Sequence, residues 1–548
     1  MSNVLSRNLV LAVLACFALP AAYGQQAKPT RTACPVLQEQ PSEADLALFQ
    51  RNYSKAEELY KAALADNANS STATAGLIHA KLGEGNIPGA LDMAVKFAAA
   101  NPQDALAQVM LGEVRYRHGE IFEAALSYNK AMQLDLCLPE EHIAIARYQM
   151  LRGNFLTARK QIDMAHNLAP NNPAITRRWE NEHRVIKSPV EIKAALETRL
   201  QSSTLSEEQK SNIQHTIKSV ETQQKGDCQL VSPISSTKLK LEPLQSTLSN
   251  PPYGIGLDVY LNGKKRRLQV DTGASGLLLS RSSANAAGLT SEMETKARGI
   301  GDEGMRSVFV THVDDIKIGY MEFKNCRVEV IEKRGVLDID GLIGTDVFKN
   351  YLVTLDTPQR ELRLSPLPPR PEDAAAATTS LDTDEDADAN IDAKSGERVV
   401  HDTYVAPEMK DWTHIYRWGH HLIVPTDIGK VPTKLFILDT GASMGLISPD
   451  VAREVTHVYG DSAMRITGIS GEVNKVMEAA NVTITFANVR QKWEGMSSID
   501  TSNISSGSGV EIGGFIAFPT LKELVLSIDY RDNLIKVVYD PKHGFHTF

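Results

Sequence analysis

The sequence lacks the features that mark several large classes of protein. It has no excess of basic residues, because 58 Lys and Arg stand against 67 Asp and Glu, which gives a net charge of −9 at pH 7. That balance argues against a nucleic-acid partner, since contact with phosphates needs a basic surface. The His-Glu-x-x-His and phosphate-loop motifs are also missing, so the sequence lacks the usual signatures of zinc proteases and phosphate-loop nucleotide-binding enzymes.

Long apolar runs are missing beyond the N-terminus, so no integral membrane segment is expected once that end has been removed. Near the N-terminus, Arg7 precedes the apolar run Leu9–Leu19, and small residues precede the peptide bond after Gly24. Residues 1–24 are therefore predicted to be a signal peptide, and the mature protein to be periplasmic or extracellular. Processing as a lipoprotein before Cys16 is the alternative, which the continuation of the apolar run past Cys16 disfavours.

Cysteine is scarce, with five in 548 residues. Those that follow the predicted signal peptide are Cys34, Cys137, Cys228 and Cys326. In an exported protein these four permit three disulfide connectivities, and the sequence does not select one. Buried free thiols are the alternative state for any of them.

A 34-residue period is the clearest pattern in the first part of the chain. Alanine recurs with this period, and small or apolar residues follow it by four and by seven positions, which places them on one face of a helix. Glycine recurs with the same period and marks turns between paired helices. The recurring residues are Ala56, Ala90, Ala124, Ala158, Gly85, Gly119 and Gly153.

This pattern resembles the tetratricopeptide repeat, in about four units over residues 42–172, although the first unit lacks the turn glycine. The resemblance implies an all-α solenoid within a helical domain over residues 40–225, whose last helices would cap the repeats. It also implies a surface that binds a protein partner or a peptide. A spacer or an oligomerisation arm is the alternative. Because contacts within repeats are local, we expect this domain to fold by itself.

The composition changes to short β-rich runs from residue 229 onward. Residues 367–400 interrupt these runs with prolines, alanines and many acidic residues but few large apolar ones, which predicts an acidic disordered linker. The linker separates two β-rich domains, predicted over residues 229–366 and 401–548.

The two β-rich domains carry the same landmarks in the same order. Each has an Asp-Thr-Gly-Ala-Ser loop after an apolar strand, at residues 271–275 (the first loop) and 439–443 (the second loop). Glycine-rich segments follow the two aspartates, and a later apolar segment ends in Gly344 or Ala517. Twelve residues further on stand Asp356 and Asp529, which we interpret as strand-end residues. Landmarks in this register indicate a duplication.

These landmarks resemble those of the retropepsin-like and pepsin-like aspartic proteases, and in particular a bacterial secreted relative of the retropepsin branch. The resemblance implies two all-β barrel lobes, so the predicted fold is multidomain, an all-α solenoid followed by two acid-protease lobes. It also implies that Asp271 and Asp439 form a catalytic dyad that shares one proton and activates water to hydrolyse peptide bonds of a protein or peptide substrate. Neither a metal nor a cofactor is expected.

The resemblance assigns supporting roles to further residues. A glycine two positions after each aspartate permits close approach of the backbone, and the threonine hydroxyls can bind the opposite loop. The predicted supporting residues are Thr272, Gly273, Ser275, Gly344, Thr440, Gly441 and Ser443. The predicted flaps, which would close over the substrate, contain Gly299, Gly301, Gly468 and Gly471.

A non-catalytic scaffold in the cell envelope is the alternative function, because this fold also serves as a binding domain. Ala517 favours the scaffold, since it replaces the glycine that packs on the loop in the first domain. A homodimer of first loops is the alternative to a dyad within one chain. We interpret the pair His420 and His421 as exposed residues at the start of a strand.

Overall fold

The computed structural model describes residues 34–38, 40–184, 188–201, 205–223, 228–232, 234–245, 252–331, 339–370, 390–391, 398–399, 401–460 and 464–539. Residues 36–548 belong to one unit, and of residues 1–35 only Cys34 and Pro35 are described. The predicted signal peptide therefore lies outside the described residues, as does most of the predicted linker.

Helices fill the described chain from residue 43 to residue 223. They are α1 Glu43–Phe49, α2 Tyr53–Asp66, α3 Ser71–Gly83, α4 Ile87–Ala100, α5 Ala105–Arg117, α6 Ile121–Leu134, α7 Pro139–Leu151, α8 Phe155–Leu168, α9 Pro173–Glu182, α10 Pro189–Leu200 and α11 Glu207–Gln223. Several begin after a polar residue whose side chain accepts a backbone N–H of the first turn, as Ser70, Asn86 and Asp104 do. The prediction of a helical N-terminal region is confirmed.

The 34-residue period of the sequence reappears in the helix boundaries. Helices α2, α4, α6 and α8 begin 34 residues apart, and so do α3, α5, α7 and α9. The recurring alanines are fully buried. Gly85, Gly119 and Gly153 have φ between 74° and 80°, a conformation that glycine adopts without steric cost. In the first unit Arg51 takes the same place with φ 63°, so the turn forms there without glycine.

Strands fill most of the chain that follows. They are β1 Gln229–Leu230, β2 Thr237–Leu244, β3 Gly254–Leu261, β4 Lys264–Asp271, β5 Leu277–Ser280, β6 Met293–Ala297, β7 Arg306–Ile318, β8 Met321–Ile331, β9 Gly341–Gly344, β10 Leu352–Asp356, β11 Glu361–Ser365, β12 Asn390–Ile391, β13 Arg398–Val399, β14 Thr413–His414, β15 Tyr416–Trp418, β16 His421–Ile428, β17 Lys434–Asp439, β18 Leu446–Ile447, β19 Val458–Tyr459, β20 Thr467–Gly468, β21 Gly471–Glu472, β22 Met477–Phe486, β23 Val489–Ser498, β24 Gly514–Ala517, β25 Leu524–Asp529 and β26 Leu534–Tyr539. Short helices lie between them: α12 Arg281–Ala286, α13 Pro449–Val455, α14 Ser502–Ser508, α15 Phe518–Leu521, and the 3₁₀ turns Thr345–Phe348 and Pro407–Met409.

The β-rich chain repeats one topology twice. The order β3-β4-β9-β5-β8-β7 in the first half, which we call the first lobe, matches β16-β17-β24-β18-β23-β22 in the second, the second lobe. In each lobe the strand that ends at the loop aspartate runs parallel to the later apolar strand, as β4 does with β9 and β17 with β24. Additional pairings join β3 to β7 and β16 to β22. The duplication seen in the sequence is therefore a duplication of topology.

The two lobes are joined by strands that follow each of them. β10 pairs antiparallel with β25, and the shared order runs β14-β26-β25-β10-β11-β2. Asp356 and Asp529 end β10 and β25, which confirms their interpretation as strand-end residues. Thr345 and Tyr530 also exchange a hydroxyl hydrogen bond between the lobes. The lobes therefore pair through backbone hydrogen bonds within one chain.

The helical region packs against the second lobe. One hydrophobic cluster contains Tyr116 and Tyr148 of the helices together with Leu435 and Ile437 of β17. The intervening Phe436 belongs instead to the main core of the lobes. Strand β17, which ends at Asp439, therefore lies between two apolar layers, one of them completed by helices. The repeat pattern did not predict this shared cluster.

A buried group of charges lies at the same contact. The Lys434 ammonium, 1% exposed, lies 3.0 Å from Glu454 and 3.4 Å from Glu120 of the turn between α5 and α6. His118 of that turn lies 3.0 Å from Glu120 and 3.5 Å from Glu511. Backbone hydrogen bonds accompany these pairs, such as that from the Glu511 N–H to the Arg117 carbonyl, 2.9 Å. The helices and the second lobe are thus joined by polar as well as apolar contacts.

The structure also bears on the cysteines, the predicted linker and the membrane segments. Cys228 and Cys326 form a disulfide, a pairing that the sequence left open. Within the predicted linker, the described strands β12 and β13 pair antiparallel with each other. Across the described part of the chain, no helix combines the length and the apolar character that a membrane span requires.

Candidate active site

The two loop aspartates meet where the lobes face each other. A Cβ atom placed on Gly273 would lie 2.8 Å from the Asp439 carboxyl carbon, and one placed on Gly441 would lie 2.2 Å from an Asp271 carboxyl oxygen. Each carboxyl group therefore rests on the glycine of the opposite loop, and the two carboxyl groups lie within hydrogen-bonding reach of each other. A side chain at either glycine would force the two groups apart.

The loop threonines cross between the lobes. The Thr272 hydroxyl donates to the Leu438 carbonyl at 2.8 Å and accepts the Thr440 N–H at 3.0 Å. The Thr440 hydroxyl makes the reciprocal pair, donating to the Val270 carbonyl at 2.9 Å and accepting the Thr272 N–H at 3.0 Å. Both threonines are buried. This reciprocal set fixes the spacing of the two loops.

The carboxyl groups differ in their surroundings. Burial and the charge of Asp439 raise the pKa of Asp271 well above its ordinary range. Burial also raises the pKa of Asp439, but N–H donors from Ala442 and Gly441 and a hydrogen bond from Asp271 act against it. Oδ1 of Asp439 accepts both N–H groups at 2.9 Å, while Oδ1 of Asp271 accepts the Gly273 N–H at 2.7 Å and the Ala274 N–H also lowers the pKa of Asp271. The pKa of Asp271 is thus raised further than that of Asp439, which favours the shared proton on Asp271 and the charge on Asp439.

A third carboxylate, Asp346, supports the first loop and was missed in the sequence. It accepts the Ser275 hydroxyl at 2.7 Å and the Gly276 N–H at 3.0 Å. The available signal was its position two residues after Gly344, beside the predicted loop. In the second lobe Pro519 stands at the equivalent position, and Ser443, the counterpart of Ser275, is exposed. The two loops are thus supported differently.

The difference between Gly344 and Ala517 follows from the presence of Asp346 in the first lobe, where the second lobe has Pro519. A Cβ atom at Gly344 would lie 2.2 Å from an Asp346 carboxyl oxygen and 2.5 Å from the Ala274 carbonyl. In the second lobe the fully buried Ala517 pairs with Asp439 in the parallel ladder, and the next N–H, of Phe518, donates to the Ala442 carbonyl at 3.1 Å. Ala517 therefore fits a loop on which no carboxylate folds back.

The predicted flap segments meet each other. Gly299 faces the Ile469 side chain, and Gly468 faces the Ile300 carbonyl. The Ser470 N–H donates to Ile300 at 2.9 Å, and the Ser470 hydroxyl accepts the Gly299 N–H at 3.0 Å. These residues join the turn between β6 and β7 to the turn between β20 and β21. The two turns therefore behave as one closed cover.

The flap tips also lie over the loops. Ile469 of one tip belongs to the same apolar cluster as Ala274 of the first loop. Ile300 of the other tip shares a cluster with Met444, which follows the second loop. Gly301 and Gly471 face each other across the tips, with φ of 125° and 93°. Each tip therefore packs on an apolar cluster that also includes a residue at the loop of the opposite lobe.

A histidine that we expected to be exposed lies at the first loop. His420 is half-buried, and its Nε2 lies 3.0 Å from the Gly273 carbonyl. His421, next to it, is half-buried and stacks on Trp418, and its burial lowers the pKa of its imidazole to about 3. The interpretation of the two residues as an exposed pair was wrong. Nothing in the local sequence signals the contact, because it depends on how the lobes pair.

A family model matches part of the first lobe. Residues 257–347 match the family model described as aspartyl protease. Over 131 residues the chain is 33% identical to the UBA domain-containing protein Mud1 of Schizosaccharomyces pombe, covering 22% of this chain and 38% of that protein. Over a further alignment of 131 residues it is 30% identical to DNA damage-inducible protein 1 of Neurospora crassa, covering 22% of this chain and 28% of that protein. The chain thus spans well under half the length of these relatives.

Solved structures of aspartic proteases also match. A retropepsin-like aspartic protease from Rickettsia conorii is 20% identical with a TM-score of 0.19, covering 25% of this chain and 94% of that chain. An aspartic proteinase from Irpex lacteus is 12% identical with a TM-score of 0.31, covering 56% of this chain and 98% of that chain.

The family match includes the first loop and Gly344. The second lobe repeats the topology of the first and brings a second aspartate to the same place. Residues 257–347 form an aspartyl protease domain.

Proposed function

We propose that this chain is an aspartic endopeptidase that hydrolyses peptide bonds of protein or peptide substrates at one dyad, Asp271 and Asp439, formed within the chain. One observation carries the proposal. The two carboxyl groups come from separate lobes, rest on each other's loop glycines and lie within hydrogen-bonding reach. Two carboxyl groups so placed cannot both ionise, and a pair that shares one proton supplies an acid and a base at the same pH.

The surroundings of the two carboxyl groups assign their roles. Asp439, which carries the charge, takes a proton from a water molecule as that water attacks the carbonyl carbon of the peptide bond. Asp271, which holds the proton, donates it to the carbonyl oxygen. When the tetrahedral intermediate collapses, the carbon–nitrogen bond breaks and the nitrogen takes the proton that Asp439 received. One hydroxyl group of the intermediate returns its proton to Asp271 as the new carbonyl group forms. The products are a carboxylic acid and an amine, and the dyad returns to its starting state.

The flaps supply the other requirement of the reaction, a covered site. Their tips bond to each other and reach the two loops, so a bound peptide would lie between the tips and the dyad. Excluding bulk water strengthens the electrostatic interactions within the site. Because the tips are hydrogen-bonded to each other, we expect them to part to admit a substrate and to close again before hydrolysis.

Substitution of each aspartate tests the proposal. Asp271→Asn and Asp439→Asn should each lower kcat/KM by roughly 10²–10⁴-fold toward a peptide library, since each removes one partner of the acid–base pair. The double variant should be no worse than either single one, because the pair acts as a unit. Asp450→Asn, which changes an exposed aspartate, is the matched control and should leave kcat/KM and Tm unchanged.

Mixing separates a dyad within one chain from a dyad between chains. A mixture of the two single variants should recover no activity when each chain supplies both aspartates. Recovery would establish a site between two chains. If Asp439→Asn keeps full activity, a homodimer of first loops is the active form. If neither substitution changes hydrolysis, the protein is a binding scaffold rather than a peptidase.

We further propose that the helical region is a tetratricopeptide-type solenoid that recruits a client or partner protein, and that the chain is exported. The helix boundaries with a period of 34 residues support the solenoid. The disulfide between Cys228 and Cys326 supports export, because disulfides persist in oxidising compartments. Fractionation of cells that produce the full chain tests export. Crosslinking of the mature protein, with and without residues 40–225, tests recruitment.

A further inference from the structure

The duplication makes the carbonyl groups of Gly273 and Gly441 equivalent, but different side chains from different positions bind them. The Gly441 carbonyl accepts a hydrogen bond from Gln269 of the first lobe at 3.3 Å. The Gly273 carbonyl lies 3.0 Å from Nε2 of His420, which precedes β16 of the second lobe. Because a carbonyl only accepts, this nitrogen of His420 carries a proton and donates it. Each loop glycine is thus held by a side chain from the opposite lobe.

Gly273 links this contact to both catalytic groups. Its N–H donates to Asp271, its carbonyl accepts from His420, and its α-carbon faces the Asp439 carboxyl group. Gly441 has the same three neighbours with the lobes exchanged, except that the donor to its carbonyl is the amide of Gln269. An amide stays neutral at every pH, whereas an imidazole changes its charge between about pH 5 and pH 8. The two loops therefore differ at this contact, because only the side chain that binds the Gly273 carbonyl can become charged.

The charged and titratable groups around this imidazole are few in the described chain. Asp439 is the acidic group whose pKa responds to it, and Asp271 lies beyond the shared glycine. The ring of His421 lies 4.0 Å from that of His420. The guanidinium of Arg417 is directed to the carbonyls of Gly419 and Tyr530. A proton on His420 therefore acts mainly on the dyad.

We propose that His420 is a positioning residue of the dyad, one that fixes the Gly273 peptide and places a protonatable positive charge on the Asp439 side, so that the shared proton stays on Asp271. This inference rests on the proposed peptidase function. A positive charge near the dyad favours its ionised form, so the imidazolium lets the singly charged dyad form at lower pH. His420 thereby extends activity toward acid.

Replacement of His420 by glutamine tests the charge while keeping the contact. His420→Gln retains an amide donor to the Gly273 carbonyl, as Gln269 does for Gly441, but carries no charge. The acid limb of the pH profile of kcat/KM should move up by about one pH unit, while kcat at the optimum stays within about threefold. Gln269→His places an imidazole beside the Gly441 carbonyl and should move the acid limb down. His457→Gln, at an exposed histidine, is the matched control and should move nothing.

Infrared spectra of the carboxyl groups, in protein labelled with ¹³C-aspartate, give a second readout that does not need activity. The protonation midpoint of the dyad should rise in His420→Gln and fall in Gln269→His. Unchanged midpoints and unchanged acid limbs in both variants would overturn the inference and leave His420 a structural residue. If His420→Gln does not fold, an unchanged midpoint in Gln269→His has the same consequence. Wild-type protein that hydrolyses no peptide at any pH refutes the peptidase, while the infrared midpoints still decide the role of His420.

Discussion

The two Asp-Thr-Gly-Ala-Ser loops differ in whether the residue that packs beside them has a β-carbon. Gly344 has no room for one because the Asp346 carboxylate folds over the first loop, whereas Ala517 fills the equivalent position of the second lobe. The first loop thus depends on a glycine and a carboxylate together. The second depends on neither.

We expect Gly344→Ala to be costly and Ala517→Gly to be mild. The added methyl group of Gly344→Ala displaces Asp346 and should destabilise the protein by about 1–3 kcal/mol, as overpacking does, and lower kcat/KM at least tenfold. Ala517→Gly should cost about 0.5–1 kcal/mol, the usual price of glycine in a strand, with little effect on kcat/KM. Thermal melts and steady-state kinetics check both. Equal losses in the two variants would contradict the assignment of Asp346.

The sequence predicts residues whose role depends on their own segment. Asp271 and Asp439 follow from the repeated loop, and the loop threonines follow with them. His420 and Gln269 could not be predicted in the same way, because their contacts cross between lobes and involve carbonyl groups of glycines far along the chain. Asp346 lay within reach of prediction, since it stands beside Gly344. Residue roles thus become unpredictable where they depend on lobe pairing.

At the scale of elements, the flaps are two short hairpins whose tips carry glycines with positive φ. Gly301 faces the Gly471 carbonyl of the other tip, and a Cβ atom there would lie 2.4 Å from it. Gly304, in the same turn, also has positive φ, 81°, but no heavy atom lies within 4 Å of its Cβ position. Substitution of Gly301 therefore tests the contact between the two tips, whereas substitution of Gly304 tests only the conformation of its own turn.

Gly301→Ala should therefore part the tips, whereas Gly304→Ala should only strain one turn. We expect Gly301→Ala to lower kcat/KM by about tenfold or more, since a loosened cover admits water, and to speed amide hydrogen exchange of residues 298–304 and 467–472. Gly304→Ala carries a similar backbone cost of roughly 1 kcal/mol and should leave kcat/KM within about twofold. Equal kinetic losses would show that contact between the tips is unimportant.

The helical region shows which structural features the periodicity of the sequence can predict. A spacing of 34 residues in alanine and glycine predicts the repeated helices, because small residues on one face and turns with positive φ are local requirements. Arg51 shows that glycine is not obligatory at such a turn. The burial of Lys434 could not be predicted from periodicity, since a lysine in an apolar strand is normally assigned to the surface. One of its carboxylate partners, Glu120, comes from the helical region.

At the scale of the whole molecule, the helices and the second lobe meet at a titratable contact. Burial lowers the pKa of His118, but its hydrogen bond with Glu120 and the carboxylate of Glu511 outweigh that effect, and the pKa is raised. Burial raises the pKa of Glu511. A raised pKa means that the folded contact binds its proton more tightly than the unfolded chain, so its stabilisation is lost as the pH rises through the folded value.

The contact between helices and lobe should therefore weaken from about pH 6 to about pH 8, the range in which histidine loses its proton. Amide hydrogen exchange, corrected for its intrinsic pH dependence, should become about three- to tenfold faster in residues 117–121 and 434–439 over that range. His118→Gln should remove most of this dependence. If amide exchange depends on pH equally in the wild type and in His118→Gln, His118 is not the group responsible for the effect. Because β17 ends at Asp439, the same change reaches the strand that carries one of the two loop aspartates.

The apolar contact between the helices and β17 also has a consequence for the chain during its synthesis. The helices that contribute Tyr116 and Tyr148 are complete once residue 151 has been made, but their partner strand begins at residue 434. At translation rates of about 5–20 residues per second, the ribosome needs roughly 15–60 s to reach that strand. Throughout this interval the helices lack the strand that covers these aromatic side chains, so we expect the nascent chain to expose a surface of the kind that chaperones bind.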